Sequence, residues 1–295
     1  MINTDTYTLV DNQNSELAFK LYKFESLRHF DHIQRLNYYS IIWIQSGSGT
    51  AQIETEKYTY AGDHIFACSP YQPFMFDADT DTRGFVINFH PNFFCIHKHH
   101  SEIACDGVFF NNVYQYPYIT ISDAECETLS WIVSEMKKDI EENSLAISEA
   151  ILSYLKLFLI NCSRIKKRNY PEIPVKQEDA PEKFIVQQLK NYIENNFRSL
   201  HSTKDYAALL HITPNALTKL VKATSNKTPS ALIAERIIIE AKRELYLSDK
   251  SVEEIALELG YDDPFYFSRF FKKQTNISPS IYRKTVGYNK AAGLQ

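Results

Sequence analysis

The C-terminal part of the sequence contains the same unit twice. Residues 213–230, TPNALTKLVKATSNKTPS, align with residues 263–280, DPFYFSRFFKKQTNISPS, at an offset of 50. The identical positions are Pro214 and Pro264, Lys222 and Lys272, Asn226 and Asn276, Pro229 and Pro279, and Ser230 and Ser280. Upstream the offset becomes 49, which pairs Ala207 with Ala256. A duplication of this length restricts the fold to one that repeats a supersecondary motif.

Each copy has the pattern of a helix-turn-helix, in which a short helix with a small residue precedes a tight turn and a second helix. Gly260 suits the turn of the second copy, and His211 takes its place in the first, where a positive φ is expected. An N-cap residue and a proline at the first helical position then begin each second helix. These pairs are Thr213 with Pro214, and Asp263 with Pro264.

The second helix of each copy is predicted to enter the major groove of duplex DNA. Its outer face carries Arg, Lys, Asn, Thr and Phe, which can contact guanine, adenine and the thymine methyl group. The base-reading candidates are Asn215, Thr218, Lys219, Phe265, Ser268 and Arg269, and the phosphate candidates are Lys222, Lys227, Lys272 and Lys273. The connecting segment SALIAERIIIEAKRELYL spans about 25 Å as a helix, enough to hold two reading helices in successive grooves.

Charge supports this assignment. Residues 1–180 contain 15 basic and 24 acidic residues, whereas residues 181–295 contain 17 basic and 12 acidic ones. Basic residues at helical spacing often form only a solvated face, but a duplicated unit in a basic half favours nucleic acid. Duplex DNA is favoured over RNA because the sequence has neither an RNP-type aromatic strand nor a GxxG loop.

Composition excludes other classes. No apolar stretch is long enough to span a bilayer, and the N-terminus lacks the pattern of a secretory signal, so we expect a cytoplasmic protein without membrane contact. Five cysteines without CxxC spacing argue against a disulfide framework and against a structural zinc site. We expect no cofactor.

The pattern divides the chain into five parts: a β-rich domain at 1–122, a helix pair at 123–165, a linker at 166–182, an all-α domain at 183–286 and a tail at 287–295. Short segments rich in aromatic and β-branched residues predict a sandwich or small barrel in the first part. Both helices of the pair have apolar stripes that are either intrachain core or a dimer seam. The seam candidates lie on the second helix: Ile151, Leu155, Phe158 and Leu159.

The region from Lys183 to Lys284 resembles the DNA-binding domain of the AraC/XylS family of bacterial transcription regulators. The stretch IALELGYDDPFYFSRFFKKQTNISPSIYRK is similar to the family's second helix-turn-helix, and AERIIIEAKRELYLSDKSVEEIA to its linker helix. In the first copy Asn226, His211 and Val221 depart from the family pattern, which predicts looser packing there. The resemblance implies a transcription regulator, with RNA polymerase as a further candidate partner.

The same resemblance extends to the N-terminal domain, where the stretch YAGDHIFACSPYQPF is similar to a turn of the family's cupin-like β-barrel. It implies that this domain is such a barrel and binds an effector. It also implies that the helix pair forms a homodimer. The fold class is therefore α+β multidomain, a cupin-like β-barrel with a helix pair followed by a tandem helix-turn-helix domain. The effector-pocket candidates are Trp43, His64, Phe66, Phe74, Asn88 and His90. Solid core packing of the aromatic members is the alternative.

A metal site is not expected. A metal-bearing cupin needs two or three histidines and a carboxylate inside the barrel. His97, His99 and His100 lie in a segment that is typical of helix or loop, while His64 and His90 are scattered. We therefore predict that the protein is not an enzyme. The alternatives are a metallocupin enzyme fused to a DNA-binding domain and a ligand-free regulator whose barrel makes only protein contacts.

Overall fold

The computed structural model describes residues 6–10, 17–94, 96, 109–110, 114, 116–170, 181–225 and 227–286. The described residues belong to two compact units, one between residues 6 and 170 and one between residues 181 and 286. The first unit combines β-sheets with two helices, and the second is helical. No helix among the described residues has the length and apolar content needed to cross a membrane.

The first unit contains two antiparallel sheets. The strands are β1 (Thr6–Val10), β2 (Leu17–Phe24), β3 (Tyr39–Ser46), β4 (Ser48–Ile53), β5 (Glu56–Ala61), β6 (His64–Cys68), β7 (Phe74–Ala78), β8 (Arg83–Phe89) and β9 (Tyr118–Thr120), with a short 3-10 helix at Arg28–Phe30. Six strands pair in the order β1-β2-β8-β3-β6-β9, and three pair as β5-β4-β7. The described strands therefore form two facing sheets, without a closed hydrogen-bonded barrel.

Both faces of the six-stranded sheet are buried at its strand β3. In β3, Ile42 and Ile44 pack against the three-stranded sheet, in what we call the intersheet core. Ile41 and Trp43 point to the opposite face and pack against the helix pair, in what we call the helix-side core. Because successive side chains of a strand alternate between faces, one continuous apolar strand supplies both cores.

The helix pair consists of α1 (Asp123–Glu141) and α2 (Ile147–Asn169). Ser122 and Glu125 form a capping box, in which the Ser122 amide and hydroxyl donate to the Glu125 carboxylate at 2.8 Å. The helix α2 ends at Asn169, so residues 166–169 of the predicted linker are helical; residues 171–180 lie outside the described residues.

The apolar stripe of α2 is intrachain core. Its side chains are fully buried in the helix-side core: Ile151, Leu155, Phe158 and Leu159. These residues cannot also form the surface of a dimer, so the seam assignment of this stripe is wrong and the alternative holds. The sequence left both open because an apolar stripe has the same period in either role.

The second unit contains α3 (Pro181–Asn196), α4 (Thr203–Leu209), α5 (Pro214–Ser225), α6 (Pro229–Leu247), α7 (Val252–Glu258), α8 (Pro264–Thr275) and α9 (Pro279–Val286). The helices α4 and α5 form one helix-turn-helix, and α7 and α8 form the other. The turn residues His211 and Gly260 have φ values of 55° and 78°, as the sequence predicted. Val221, one of the residues that depart from the family pattern, is fully buried in α5.

Candidate nucleic-acid interface

The helices α5 and α8 have the same construction at their N-termini. The Thr213 hydroxyl accepts a hydrogen bond from the Ala216 amide at 3.2 Å, and the Asp263 carboxylate accepts one from the Phe265 amide at 2.8 Å. Both predicted N-caps are thereby confirmed. A capped N-terminus holds the first turn of each helix in a fixed orientation, which base reading requires.

One side of each helix is anchored in the domain and the other is exposed. Leu217 and Val221 of α5, and Phe267 and Phe271 of α8, are fully buried. The exposed sides carry only basic charge, because the sequences PNALTKLVKATS and PFYFSRFFKKQT contain no acidic residue. The two helices therefore present two basic surfaces, each on a rigidly packed support.

The base-reading candidates lie on these outer sides with different exposure. Asn215, Lys219, Phe265 and Arg269 are exposed, whereas Thr218 and Ser268 are half-buried. The Thr218 hydroxyl donates to the Pro214 carbonyl oxygen at 2.8 Å. Phe265 is 77% exposed, so most of its ring is accessible to a binding partner.

Arg269 has one weak internal contact. Its guanidinium lies 3.7 Å from the Asp263 carboxylate, and both side chains are largely exposed. An exposed pair at this distance contributes little to stability, so the guanidinium can exchange this contact for one with DNA at a small cost in free energy. Asp263 thus combines the N-cap role with a weak contact to Arg269.

Three of the four phosphate candidates remain exposed: Lys222, Lys272 and Lys273. Lys227 does not fit that role, because its ammonium forms a 2.7 Å ion pair with Glu235 and both side chains are mostly buried. The sequence suggested Lys227 because it follows α5, but the chain turns there into α6 and directs the amine inward. The Lys227 ammonium is therefore engaged within the chain and is not placed to bind phosphate.

Tyr266 is an exposed aromatic residue that sequence reasoning missed. It is 56% exposed, follows Phe265 in the first turn of α8 and lies 6.0 Å, centroid to centroid, from Tyr261. The signal was available, since two consecutive aromatic residues in the first turn cannot both face the core.

The six effector-pocket candidates are divided between different surroundings. Phe66 and Phe74 belong to the intersheet core, while Trp43 belongs to the helix-side core. His64 is half-buried beside Phe66 and Tyr118, and His90 is buried beside Tyr38. Asn88 is buried on the intersheet face of β8. The structure thus separates Trp43 from the other aromatic candidates.

The three clustered histidines, His97, His99 and His100, lie outside the described residues. Among the residues that are described, no group of three or more His, Cys, Asp or Glu side chains is arranged to hold a metal ion.

Residues 206–285 match the family model described as "Helix-turn-helix domain". Over 253 residues the chain is 26% identical to the raffinose operon transcriptional regulatory protein RafR of Pediococcus pentosaceus, covering 84% of this chain and 86% of that protein. Over 101 residues it is 36% identical to an uncharacterized HTH-type transcriptional regulator of Pseudoalteromonas carrageenovora, covering 34% of this chain and 60% of that one.

Among solved structures, the C-terminal domain of AraT, a response regulator from Geobacillus stearothermophilus, is similar at 27% identity and a TM-score of 0.35, covering 38% of this chain and 93% of that chain. The tandem helix-turn-helix, the helix-turn-helix family match and the similarity to RafR indicate a non-enzymatic, DNA-binding transcription regulator. The matched residues 206–285 and the similarity to RafR agree with the resemblance of the helical unit to the AraC/XylS family.

Proposed function

We propose that this regulator is sequence-specific and reads two successive major grooves of duplex DNA with α5 and α8. The observation that carries the proposal is that two capped helices of the same domain each present a basic outer face while their inner faces are fixed in the core. The proposed base readers are the exposed residues Asn215, Lys219, Phe265 and Arg269, together with the partly buried residues Thr218 and Ser268. Lys222, Lys272 and Lys273 are proposed to bind phosphate.

A matched pair of variants on α8 tests this division. We expect Arg269→Ala to weaken specific binding by about 1 to 3 kcal/mol, with the loss concentrated at one base pair. We expect Lys273→Ala to weaken specific and non-specific binding alike, and to lower the slope of log K against log salt by about 0.9. Titration of operator duplexes carrying every single base-pair change separates the two. A loss in Arg269→Ala that is uniform across all duplexes would contradict base reading.

We also propose that the N-terminal unit is a cupin-type sensor that binds a small hydroxylated molecule in the intersheet core. Asn88 pairs with Lys20 on one side and with Ser40 on the other, so the three side chains form a row across β2, β8 and β3. Ser40 Oγ and Asn88 Oδ1 are buried there without a hydrogen-bond partner. An unpaired buried polar atom costs about 1 to 3 kcal/mol, which a ligand hydroxyl can recover.

The name of one relative agrees with this ligand class, since RafR is named as a raffinose operon regulator. We expect oligosaccharides such as raffinose to raise the melting temperature of the full chain, and benzoate or decanoate to leave it unchanged. Asn88→Leu should abolish the shift, while Thr59→Val, an exposed change in β5, should retain it. A shift that survives Asn88→Leu would place the ligand elsewhere, and one caused only by the acids would contradict the ligand class.

We further propose that the regulator is a homodimer that uses the outer face of the helix pair. Trp131 in α1 and Leu157 in α2 are 55% and 39% exposed, so a dimer that buried both side chains would remove apolar surface from water. We expect light scattering to show a dimer at micromolar concentration that Trp131→Ala weakens. Leu145→Ala, at the exposed turn between α1 and α2, should leave it intact. A monomeric parent chain would contradict the proposal.

A further inference from the structure

The segment that leads from α3 into the first helix-turn-helix unit touches the second unit directly, away from the helix α6 that connects the two units. The contact is made by the segment 197–201, between α3 and α4, and the turn of the second unit. A β-carbon at position 260 would lie 2.0 Å from the Arg198 carbonyl oxygen, so no residue other than glycine fits against this segment without displacing it. Gly260 therefore serves both the turn, with its positive φ, and the approach of a distant piece of backbone.

An aromatic stack reinforces the same contact. The imidazole of His201 lies 4.5 Å from the ring of Tyr261, centroid to centroid, with 24° between the planes. Tyr261 in turn packs on Phe267 and Phe270 of α8. Nε2 of His201 is buried without a hydrogen-bond partner, so the ring contributes through its shape and stacking. The segment 197–201 is thereby connected to the helix proposed to read DNA.

The same segment is also bound to α6 by a buried carboxylate. Glu240 is only 5% exposed and accepts hydrogen bonds from Arg198 at 2.7 Å, Arg243 at 2.9 Å and Arg236 at 3.3 Å. Burial alone would raise the pKa of Glu240, but the three guanidinium groups outweigh it and hold that pKa below its usual range. The Arg236 guanidinium also lies 3.9 Å from the centroid of the Phe197 ring.

We infer that the segment 197–201 is a clamp that fixes the spacing of the two reading helices, and that Arg198, His201 and Glu240 are positioning residues for DNA recognition. A single connecting helix leaves the units free to bend at its two ends, whereas a second, packed contact removes that freedom. The inference rests on the proposed function, since fixed spacing matters only when both helices read DNA. The clamp selects duplexes whose half-sites have one separation.

Two of the arginines that donate hydrogen bonds to Glu240 provide a matched pair of variants. Arg198→Gln removes the bond between the clamp and α6, while Arg243→Gln removes a guanidinium that lies on α6 itself, three residues away. Duplexes would be selected with the full chain, and the spacer between half-sites then changed by one base pair, which rotates one half-site by about 35°. We expect the parent chain and Arg243→Gln to lose about tenfold in affinity, as for a mismatched base pair, and Arg198→Gln to lose less than about threefold.

A measurement without DNA separates failure of the clamp from failure of the proposed function. Spin labels on non-canonical amino acids at Ala223 and Lys273, equivalent exposed positions of the two copies, would report the distance between α5 and α8 in the full chain. We expect a broader distance distribution in Arg198→Gln and an unchanged one in Arg243→Gln. An unbroadened distribution in Arg198→Gln overturns the clamp. A parent chain that ignores spacer length, with the broadening present, contradicts paired groove reading instead.

Discussion

The rings of Trp43, in β3, and Phe158, in α2, lie 6.2 Å apart, centroid to centroid, inside the helix-side core. The sheet and the helix pair are thus parts of one packed structure. Phe158 has no exposed surface, and its neighbours Leu155 and Leu159 are equally buried.

Truncation of Phe158 should therefore destabilise the N-terminal unit. We expect Phe158→Ala to lower its free energy of unfolding by about 3 to 5 kcal/mol, because the variant loses apolar contacts and leaves a cavity. Both tryptophans, Trp43 and Trp131, lie in this unit, so urea unfolding followed by tryptophan fluorescence reports on it alone. Leu157→Ala, at the partly exposed neighbouring position, is the control and should cost far less. Equal losses in the two variants would argue against the core assignment.

Phe265 should affect DNA binding without affecting stability. Its side chain is exposed, so we expect Phe265→Ala to change the free energy of unfolding by less than about 0.5 kcal/mol. If the ring contacts a thymine methyl group, replacing that thymine by uracil should weaken binding of the parent chain and have no further effect on Phe265→Ala. Equal sensitivity of both proteins to uracil at every position would exclude such a contact.

Lys166 should make stability depend on pH. Its side chain is fully buried near the end of α2, its amine donates to the Tyr116 carbonyl oxygen, and burial lowers the pKa of the amine to about 7. Above pH 7 the folded amine is neutral while the unfolded one, with a pKa of about 10.5, keeps its proton. Raising the pH from 7 to 9 should therefore stabilise the unit by up to about 1.4 kcal/mol per pH unit.

Two variants in which methionine replaces a lysine isolate the contribution of Lys166 to this pH dependence. Lys166→Met should be more stable than the parent chain at pH 7, with a flatter dependence on pH up to 9. Lys167→Met, at the exposed next residue, should retain the slope of the parent chain. Urea unfolding followed by tryptophan fluorescence across this pH range measures all three. Identical slopes in Lys166→Met and the parent chain would show that another group is responsible.

The first helices of the two repeats should depend on their capping serines. Ser202 with Asp205, and Ser251 with Glu254, form capping boxes at the 49-residue offset of the repeat. We expect Ser202→Ala and Ser251→Ala each to cost about 0.5 to 2 kcal/mol in the helical unit. Ser280→Ala, at an exposed position in α9, is the control. Circular dichroism during urea unfolding measures the loss of stability. An unchanged free energy of unfolding in both serine variants would contradict the capping role.

The repeat made the helical unit predictable from the sequence. Duplicated prolines and N-cap residues fixed where α5 and α8 begin, and the positive φ at His211 and Gly260 followed from the turn they occupy. Local signals of this kind depend on residues within one turn of helix, so they can be recognised in the sequence without knowledge of the tertiary fold.

Contacts between distant segments were not predictable in this way. Nothing local to Arg198 indicates that its carbonyl packs on Gly260, and nothing local to Lys227 indicates its ion pair with Glu235. The grouping of Trp43 with Phe66 failed for a related reason. A strand that is buried on both faces loses the alternation of polar and apolar residues that shows which side chains share a face.

The strand β3 has no solvent-facing position between Tyr39 and Ile44. A mutation there that shifts the backbone to suit one core disturbs the other, so evolutionary change in β3 requires compensation on two sides at once. The three-stranded sheet, whose outer face is partly exposed, is free of that coupling. Descendants of this chain should therefore diverge mainly in β4, β5 and β7, while β3 changes slowly.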